Sequence, residues 1–292
     1  GTRCAAIGTL GAGLYEGSNT DWLPTPGGNT TPDAIRMQYL LADFVQHNAR
    51  QVAFEASSHA LVQGRLSQLN TDIVVFTNLS RDHLDYHGTM EDYAAAKRLA
   101  MKLPAVKTVV LNKDDGESAN WHSHKPEGVE TVWFGLTELQ AQKPEDRHCL
   151  ATNVKYHPDG CQFRLVSSWG SRDINVPLLG AFNVHNLLAV IAVMLVQGLR
   201  FEDVVSLLPK VSPVAGRMEV FRFDNHANVI VDYAHTPDAL EKALLSTRDH
   251  TNGDVWCVFG CGGDRDKGKR PLMGQAAEKG ADHVIITTDN SR

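Results

Sequence analysis

The sequence predicts an α/β fold: a mostly parallel sheet with crossover helices, followed by the start of a second, Rossmann-like α/β unit. Three observations carry that prediction. Short apolar runs alternate with helical patterns through the middle of the chain, the rhythm of strand–helix–strand units. Charged residues collect just past the ends of those runs, where open α/β sheets hold their ligands. A stretch bearing Pro and Gly, "KVSPVAGR" at 210–217, separates this part from a new series of strands and helices.

Taken in order, a helical pattern over 33–47 precedes "QVAFEAS" (51–57), which reads as a buried strand. "TDIVVFTNL" (71–79) reads as another and "KTVVLN" (107–112) as a third. Between them the pattern predicts a helix over 89–102, capped by Thr89 with Asp92 completing a capping box. From 131 to 179 the pattern changes to strands and turns, and "PDG" (158–160) marks a hairpin between "ATNVKYH" and "CQFRLVS". An apolar helix then runs from Asn183 to a stop at Gly198. Beyond the linker, "NVIVDYA" (228–234) is a strand, and Thr236-Pro237-Asp238 supplies an N-cap with Pro at the first helical position. "DVWCVFG" (254–260) and "DHVIITTD" (282–289) are read as further buried strands.

The 292 residues are enough for about two domains. Apolar residues make up 42% and charged residues 21%, an ordinary globular balance. A net charge of −6 argues against general binding to nucleic acid or anionic lipid. No apolar run approaches the roughly 20 residues of a membrane span. Cys4, Cys149, Cys161, Cys257 and Cys261 are dispersed and contain no CxxC pair, which fits reduced thiols in a cytosolic protein. With no initiator Met, no signal peptide and a stop straight after a strand, the chain is expected to be an internal piece of a longer protein. The absence of GxSxG, HExxH and a complete P-loop leaves serine hydrolase and zinc protease readings without support.

Several charged groups fall at strand ends. Glu55 closes "VAFE", while Asp82, His83 and Asp85 follow "VVFTNL". A carboxylate and an imidazole at neighbouring strand ends can ligate a divalent cation, and carboxylate and water ligands suit magnesium. Solvated loop charge is the competing reading. Lys97, on "YAAAKRLAMKL", is either a snorkelling lysine or one held near the metal as a phosphate partner or in modified form. "FGCGGDRDKGKRP" (259–271) combines glycines with Arg265, Lys267, Lys269 and Arg270, which suits an anion or a flexible basic turn. "DYAHTP" (232–237) puts Asp232 and His235 before a helix N-terminus, for a ribose or phosphate contact or as a cap.

"EASSHALVQGR", "FTNLSRDHLDYHGTMEDYAAAK", "GAFNVHNLLA", "GRMEVF", "VDYAHTPDALEKAL" and "FGCGGDRDKGKRPLMG" occur together and in order. They resemble the Mur ligases of peptidoglycan synthesis over nearly the entire chain, most closely the branch that makes the UDP-N-acetylmuramoyl-tripeptide. The resemblance implies a central ATPase domain over 1–214, lacking the GTNGKTT-type loop at its start, and a truncated C-terminal amino-acid-binding domain over 215–292. It also implies an ATP-dependent amide ligase in the cytoplasm. ATP phosphorylates the D-Glu γ-carboxyl of UDP-MurNAc-L-Ala-D-Glu, the amine of meso-diaminopimelate attacks the acyl phosphate, and phosphate leaves.

By the same resemblance, Glu55 and His83 match magnesium ligands, and Lys97 matches a lysine whose carbamylation turns a cation into a carboxylate. Thr30, Thr31, Ser57, Gln63 and Arg65 match contacts to the UDP-MurNAc-dipeptide. Asn183, Asn186, Arg217 and Asp232 match the ATP side, and Arg265 matches a contact to the amino acid's carboxylate. "DNSR", Asp289, Asn290 and Arg292 with Ser291 between, stands where the diaminopimelate-adding branch has DNPR. An arginine there pairs with the distal carboxylate that lysine lacks. A lysine-adding ligase, and an inert or UDP-sugar-binding module, are the alternatives. No nucleic-acid partner and no membrane insertion are expected.

Overall fold

The computed structural model describes residues 3–16, 19–23, 29–136, 146–262 and 268–289. The chain divides into two compact units, Gly1–Leu111 with Asp115–Thr131, and Asn112–Asp114 with Val132–Arg292.

The first unit opens with β1 (Cys4–Gly8), β2 (Gly11–Glu16) and β3 (Asn19–Leu23). It continues through α1 (Ala34–Gln46), β4 (Gln51–Phe54), α2 (Ser58–Val62) and β5 (Ile73–Phe76). It closes with α3 (Leu84–His87), α4 (Met90–Arg98), β6 (Thr108–Asn112) and α5 (Ser118–His124). One sheet has the order β3-β2-β1-β4, antiparallel through β1–β2–β3 and parallel between β1 and β4, with α1 in the crossover. Asp33 caps α1 by accepting from the Arg36 amide at 2.9 Å, and the helix buries Met37, Leu40 and Phe44, one stripe at helical spacing. The expected strand at 51–57 is real but shorter and only half buried, because β4 is an edge strand whose Ala53 faces solvent.

β5 and β6 pair in parallel across α3 and α4. Every residue of β6 is buried, as its unbroken apolar run predicts. The Thr89 cap forms as expected, the Asp92 amide donating to Thr89 Oγ1 at 3.1 Å, but the Asp92 carboxylate accepts from that hydroxyl at 2.7 Å and not from the Thr89 amide, so the full capping box does not close.

The second unit carries β7 (Glu130–Gly135), whose first residues belong to the first unit, then β8 (Arg147–His157), β9 (Gly160–Ser167) and β10 (Gly170–Val176). α6 (Ala181–Val196), α7 (Phe201–Leu207), β11 (Glu219–Phe221), β12 (Val229–Val231) and α8 (Pro237–Asp249) follow. β13 (Trp256–Phe259), α9 (Lys269–Gly280) and β14 (His283–Ile286) complete it. β7 and β8 are parallel, whereas β8–β9–β10 form an antiparallel meander. The expected hairpin closes through Pro158 and Asp159, and Gly160 is required beyond it: a Cβ there would lie 2.0 Å from the Val176 carbonyl oxygen at a φ of +153°. Gly160→Ala is expected to destabilise by about 3 kcal/mol, as overpacking against backbone does, read as a lower urea midpoint at unchanged slope.

α6 starts two residues before the expected Asn183, at an N-cap formed by Gly180 with φ +86°, and ends before Gly198, also at φ +86°. The expected strands at 254–260 and 282–289 form as the parallel pair β13–β14, but they are not buried throughout. α8 and α9 cover one side, where Cys257 and Phe259 join Leu240, Leu244, Met273 and Ala277 in a core. On the other side Trp256 and Val258 remain 61% and 63% exposed, and all of β14 is exposed. An apolar run specifies a strand, but burial of both faces needs a layer on each. Among the described residues, no helix is long and apolar enough to cross a membrane, and no disulfide joins the five cysteines. Burial pushes the Cys149 and Cys161 thiols up to about 12 and about 11, which keeps them protonated and unreactive.

Candidate functional site

In the first unit, the ends of β1 and β4, the start of α1 and the loop into α2 converge on Glu55. The Thr9 hydroxyl donates to Glu55 Oε2 at 2.8 Å and lies 3.3 Å from the Thr30 hydroxyl. Thr31 donates to the Glu55 backbone carbonyl at 2.6 Å and accepts from the Ser57 amide at 2.9 Å. Ser57 in turn caps α2 through the Ala60 amide at 3.3 Å. Arg65 reaches back to the Thr31 carbonyl at 2.8 Å, and its Nε and Nη2 both donate to Gln63 Oε1, at 2.8 and 2.5 Å. That fixes the Gln63 amide, whose nitrogen donates to the Tyr86 hydroxyl at 3.3 Å. Thr30, Thr31, Glu55, Ser57, Gln63 and Arg65, spread over 36 residues of sequence, thus form one hydrogen-bonded network.

His83 enters from the start of α3 with φ +53°, a left-handed conformation that a residue with a side chain adopts only when its surroundings impose it. Asp82 helps impose it, accepting from the His83 amide at 2.8 Å and lying 3.6 Å from the His83 Nε2. His59 sits between the network and this loop. Its ring is 4.0 Å from Tyr86, 5.1 Å from His83 and 5.4 Å from His87. His87 shares a hydrogen bond of 2.8 Å with the buried Ser58 hydroxyl and stacks on Tyr93 at 5.1 Å. Burial pushes His59 and His87 below the ordinary imidazole range, and the neighbouring His83 adds to the shift.

Lys97 lies one helical turn beyond Tyr93 on α4, with its Nζ over the Tyr93 ring at 5.1 Å. Burial lowers its pKa, and the nearby Asp82 carboxylate opposes that shift. A snorkelling lysine would keep its head in water; this one is partly desolvated.

In the second unit, Asn183 and the exposed Asn186 lie three residues apart on one face of α6, and the Asn183 side-chain amide donates to the Leu179 carbonyl at 2.8 Å. Asp232 accepts the Met218 amide on Oδ2 and the Ala234 amide on Oδ1, both at 2.9 Å, so it holds two backbone segments together. Arg217 places its guanidinium 4.5 Å over the Tyr233 ring. Asp289 approaches the backbone of Gly260, where an added Cβ would come within 2.9 Å of it. Arg265, Asn290 and Arg292 lie outside the described residues.

No individual role for Asp82, Asp85 or His87 is legible in the sequence, and its patterns pass over Thr9, His59 and Tyr86. His59 and Tyr86 stand inside quoted motifs, so their position was a signal. Thr9 stands in a glycine-rich run that gives none.

Residues 2–194 match the Mur ligase middle domain and residues 216–292 match the glutamate ligase domain of Mur ligases. The chain belongs to the Mur ligase family. It is 45% identical over 296 aligned positions to the UDP-N-acetylmuramoyl-L-alanyl-D-glutamate--2,6-diaminopimelate ligase of Ralstonia nicotianae, covering 100% of this chain and 56% of that protein. It is 43% identical to the protein of the same name from Vibrio cholerae, again over 100% of this chain and 57% of the relative. A solved structure of a ligase so named superimposes with a TM-score of 0.74 at 41% identity, over 100% of this chain and 57% of that one. The chain therefore spans little more than half the length of these relatives.

Proposed function

We propose that this chain is the middle and the adjoining C-terminal part of an ATP-dependent, cytoplasmic amide ligase. The reaction adds meso-diaminopimelate to the D-Glu of UDP-MurNAc-L-Ala-D-Glu, with ATP as co-substrate. Identity of 45% along the whole chain to a protein named for that reaction carries the reading. The domain boundary near residues 214 and 215 belongs to the same proposal; it falls between the two family matches, in a segment with no strand or helix.

The chemistry assigned to each residue follows from its place. Thr30, Thr31, Ser57, Gln63 and Arg65 would serve the UDP-MurNAc-dipeptide: Thr30, Ser57, Gln63 and Arg65 offer polar groups past the strand ends, while Thr31, fully buried with its hydroxyl between the Glu55 carbonyl and the Ser57 amide, would act by holding that loop in place. Asn183, Asn186, Arg217 and Asp232 would serve the nucleotide; Asp232, with both oxygens occupied by backbone amides, would act there by shaping the turn. Arg265, Asp289, Asn290 and Arg292 would hold diaminopimelate, with Arg292 on the distal carboxylate.

Magnesium fits the residues present. Among the described residues no three His, Cys, Asp or Glu side chains gather as a self-sufficient metal cage. Magnesium is ordinarily held by one or two carboxylates, with waters and substrate phosphates supplying the rest. Glu55, His83 and a carbamylated Lys97 make a sparse set of that kind. When bound, the ion neutralises charge on phosphoryl oxygens. The chain's own residues orient the γ-carboxyl toward the phosphate and exclude water around the partly buried Lys97.

Assaying the protein of the complete reading frame with ATP, UDP-MurNAc-L-Ala-D-Glu and either diamino acid tests the reading. Phosphate release with meso-diaminopimelate is expected to exceed that with L-lysine at least tenfold, about the 1.4 kcal/mol that loss of one charge-assisted pair represents. Faster turnover with lysine overturns the substrate assignment, and no turnover with either overturns the function.

A further inference from the structure

We infer that Thr9 is a positioning residue for the metal-binding carboxylate and that Gly8 supplies the space it needs. The inference rests on the reading of Glu55 as a metal ligand and deepens it. Glu55 lies just past β4, where its side chain would have several rotamers open to it and a large exposed surface. Two features of the adjoining end of β1 remove that freedom. The Thr9 hydroxyl donates its proton to Glu55 Oε2 at 2.8 Å, while the Thr30 hydroxyl, 3.3 Å from Thr9 Oγ1, can donate in turn to that oxygen. On the other side the carboxyl rests against Gly8: a Cβ at that position would lie 2.6 Å from Oε1 and 2.9 Å from the carboxyl carbon.

The backbone supports the same alignment. The Glu55 amide donates to the Ile7 carbonyl at 2.9 Å, extending the parallel β1–β4 register by one residue, so Gly8 and Thr9 lie alongside Glu55 by pairing and not by chance of side-chain placement. A ligating carboxylate held by an outer hydrogen bond binds metal in a fixed orientation, and loss of such partners commonly lowers metal affinity 10–100-fold. Thr9 would act through Glu55 and touch neither the metal nor the substrate.

The test uses the protein of the complete reading frame and Mn²⁺ as probe, with unbound Mn²⁺ followed by its electron spin resonance signal. Melting temperature is recorded in parallel. Thr9→Val keeps the shape and removes the donor; it is expected to weaken Mn²⁺ binding about tenfold. Thr9→Ser keeps the donor and should bind as the parent does. Gly8→Ala meets only the flexible end of Glu55, so it should melt with the parent while losing affinity comparably. Glu55→Gln reports separately on the underlying reading. If Glu55→Gln loses the ion while Thr9→Val retains parental affinity, or if Thr9→Ser falls as far as Thr9→Val, the positioning role is overturned. Parental affinity in Glu55→Gln overturns the ligand reading instead.

Discussion

Lys97→Ala, made in the complete protein, is expected to lower ligase turnover about a thousandfold, the scale of losing a preorganised charge at a phosphoryl centre. The reason lies in what surrounds the amine. Burial disfavours the ammonium, so a larger share of Lys97 is the neutral amine that can react with carbon dioxide. In the proposed carbamylation the nitrogen lone pair would bond to the carbon as one C=O π pair shifts to oxygen, the amine would release a proton to solvent, and an anionic carbamate would replace the cation. Alanine provides neither form. Short carboxylates added to the assay should restore part of the rate, because they can occupy the space and the charge of the missing carbamate. Helix α4 should survive, since Thr89 still caps it and Tyr93, Ala94 and Ala96 still bury their side chains. Full turnover in the variant would sink the carbamate role.

His250→Leu is expected to cost about 3 kcal/mol of stability, with thermal and urea unfolding as the measurement. His250 is only 6% exposed at the end of α8. Its Nδ1 faces the His157 carbonyl at 2.7 Å and its Nε2 faces the Gly180 amide at 2.9 Å. A carbonyl can only accept and an amide can only donate, so the ring must be neutral with its proton on Nδ1. Leucine takes the ring nitrogen from the buried Gly180 N–H and the ring N–H from the part-buried His157 carbonyl, losses of about 1–3 kcal/mol each, partly offset by its own apolar contacts.

The same geometry fixes the direction of a pH effect. Burial lowers the His250 pKa, although the His157 carbonyl and Asp249 work against that shift. The unfolded chain takes up a proton near pH 6.5 while the folded chain does not until lower pH. Stability from this residue is therefore full above about pH 6.5 and declines as pH falls below it, flattening only past the lowered folded value. Tyr156, Cys161, His157 and Asp249 are the other titratable groups facing or flanking the ring. His59, His87 and His148 are shifted in the same direction, so the His250 share is the difference between parent and variant slopes. Equal slopes between pH 7 and 5.5 would refute it.

Much of this architecture was legible in the residues because it rests on patterns longer than a few positions. The stripe of α1, the apolar length of α6, the cap at Thr89 and the turn at Pro158-Asp159-Gly160 each have a local physical cause. The parts that escaped are those whose cause is not local. β1 and β2 include Gly8, Gly11 and Gly13, which break the alternation that identifies a strand, and they exist because they pair with each other and with β4. α2 and α3 are too short for any helical period to emerge. The exposure of Trp256 and Val258 depends on which helices pack against β13, which its own sequence does not state. At the site, acids and histidines past strand ends were visible as a class. The work of Asp82 on His83, and of His87 on Ser58 and Tyr93, depends on distances that only the folded backbone sets.

The contact between Gly8 and Glu55 has a consequence for how such chains can vary. The two positions stand 47 residues apart, yet the missing side chain at one is the room occupied by the other. They form a single unit of substitution. A bulkier residue at position 8 is compatible with a carboxylate at 55 only if that carboxylate withdraws, as the one-methylene-shorter aspartate would. Single exchanges at either position should look neutral to folding and damaging to function, while the matched pair should couple non-additively. A glycine that reads as loop punctuation is thus half of a lock whose other half is an acid just past the end of a different strand.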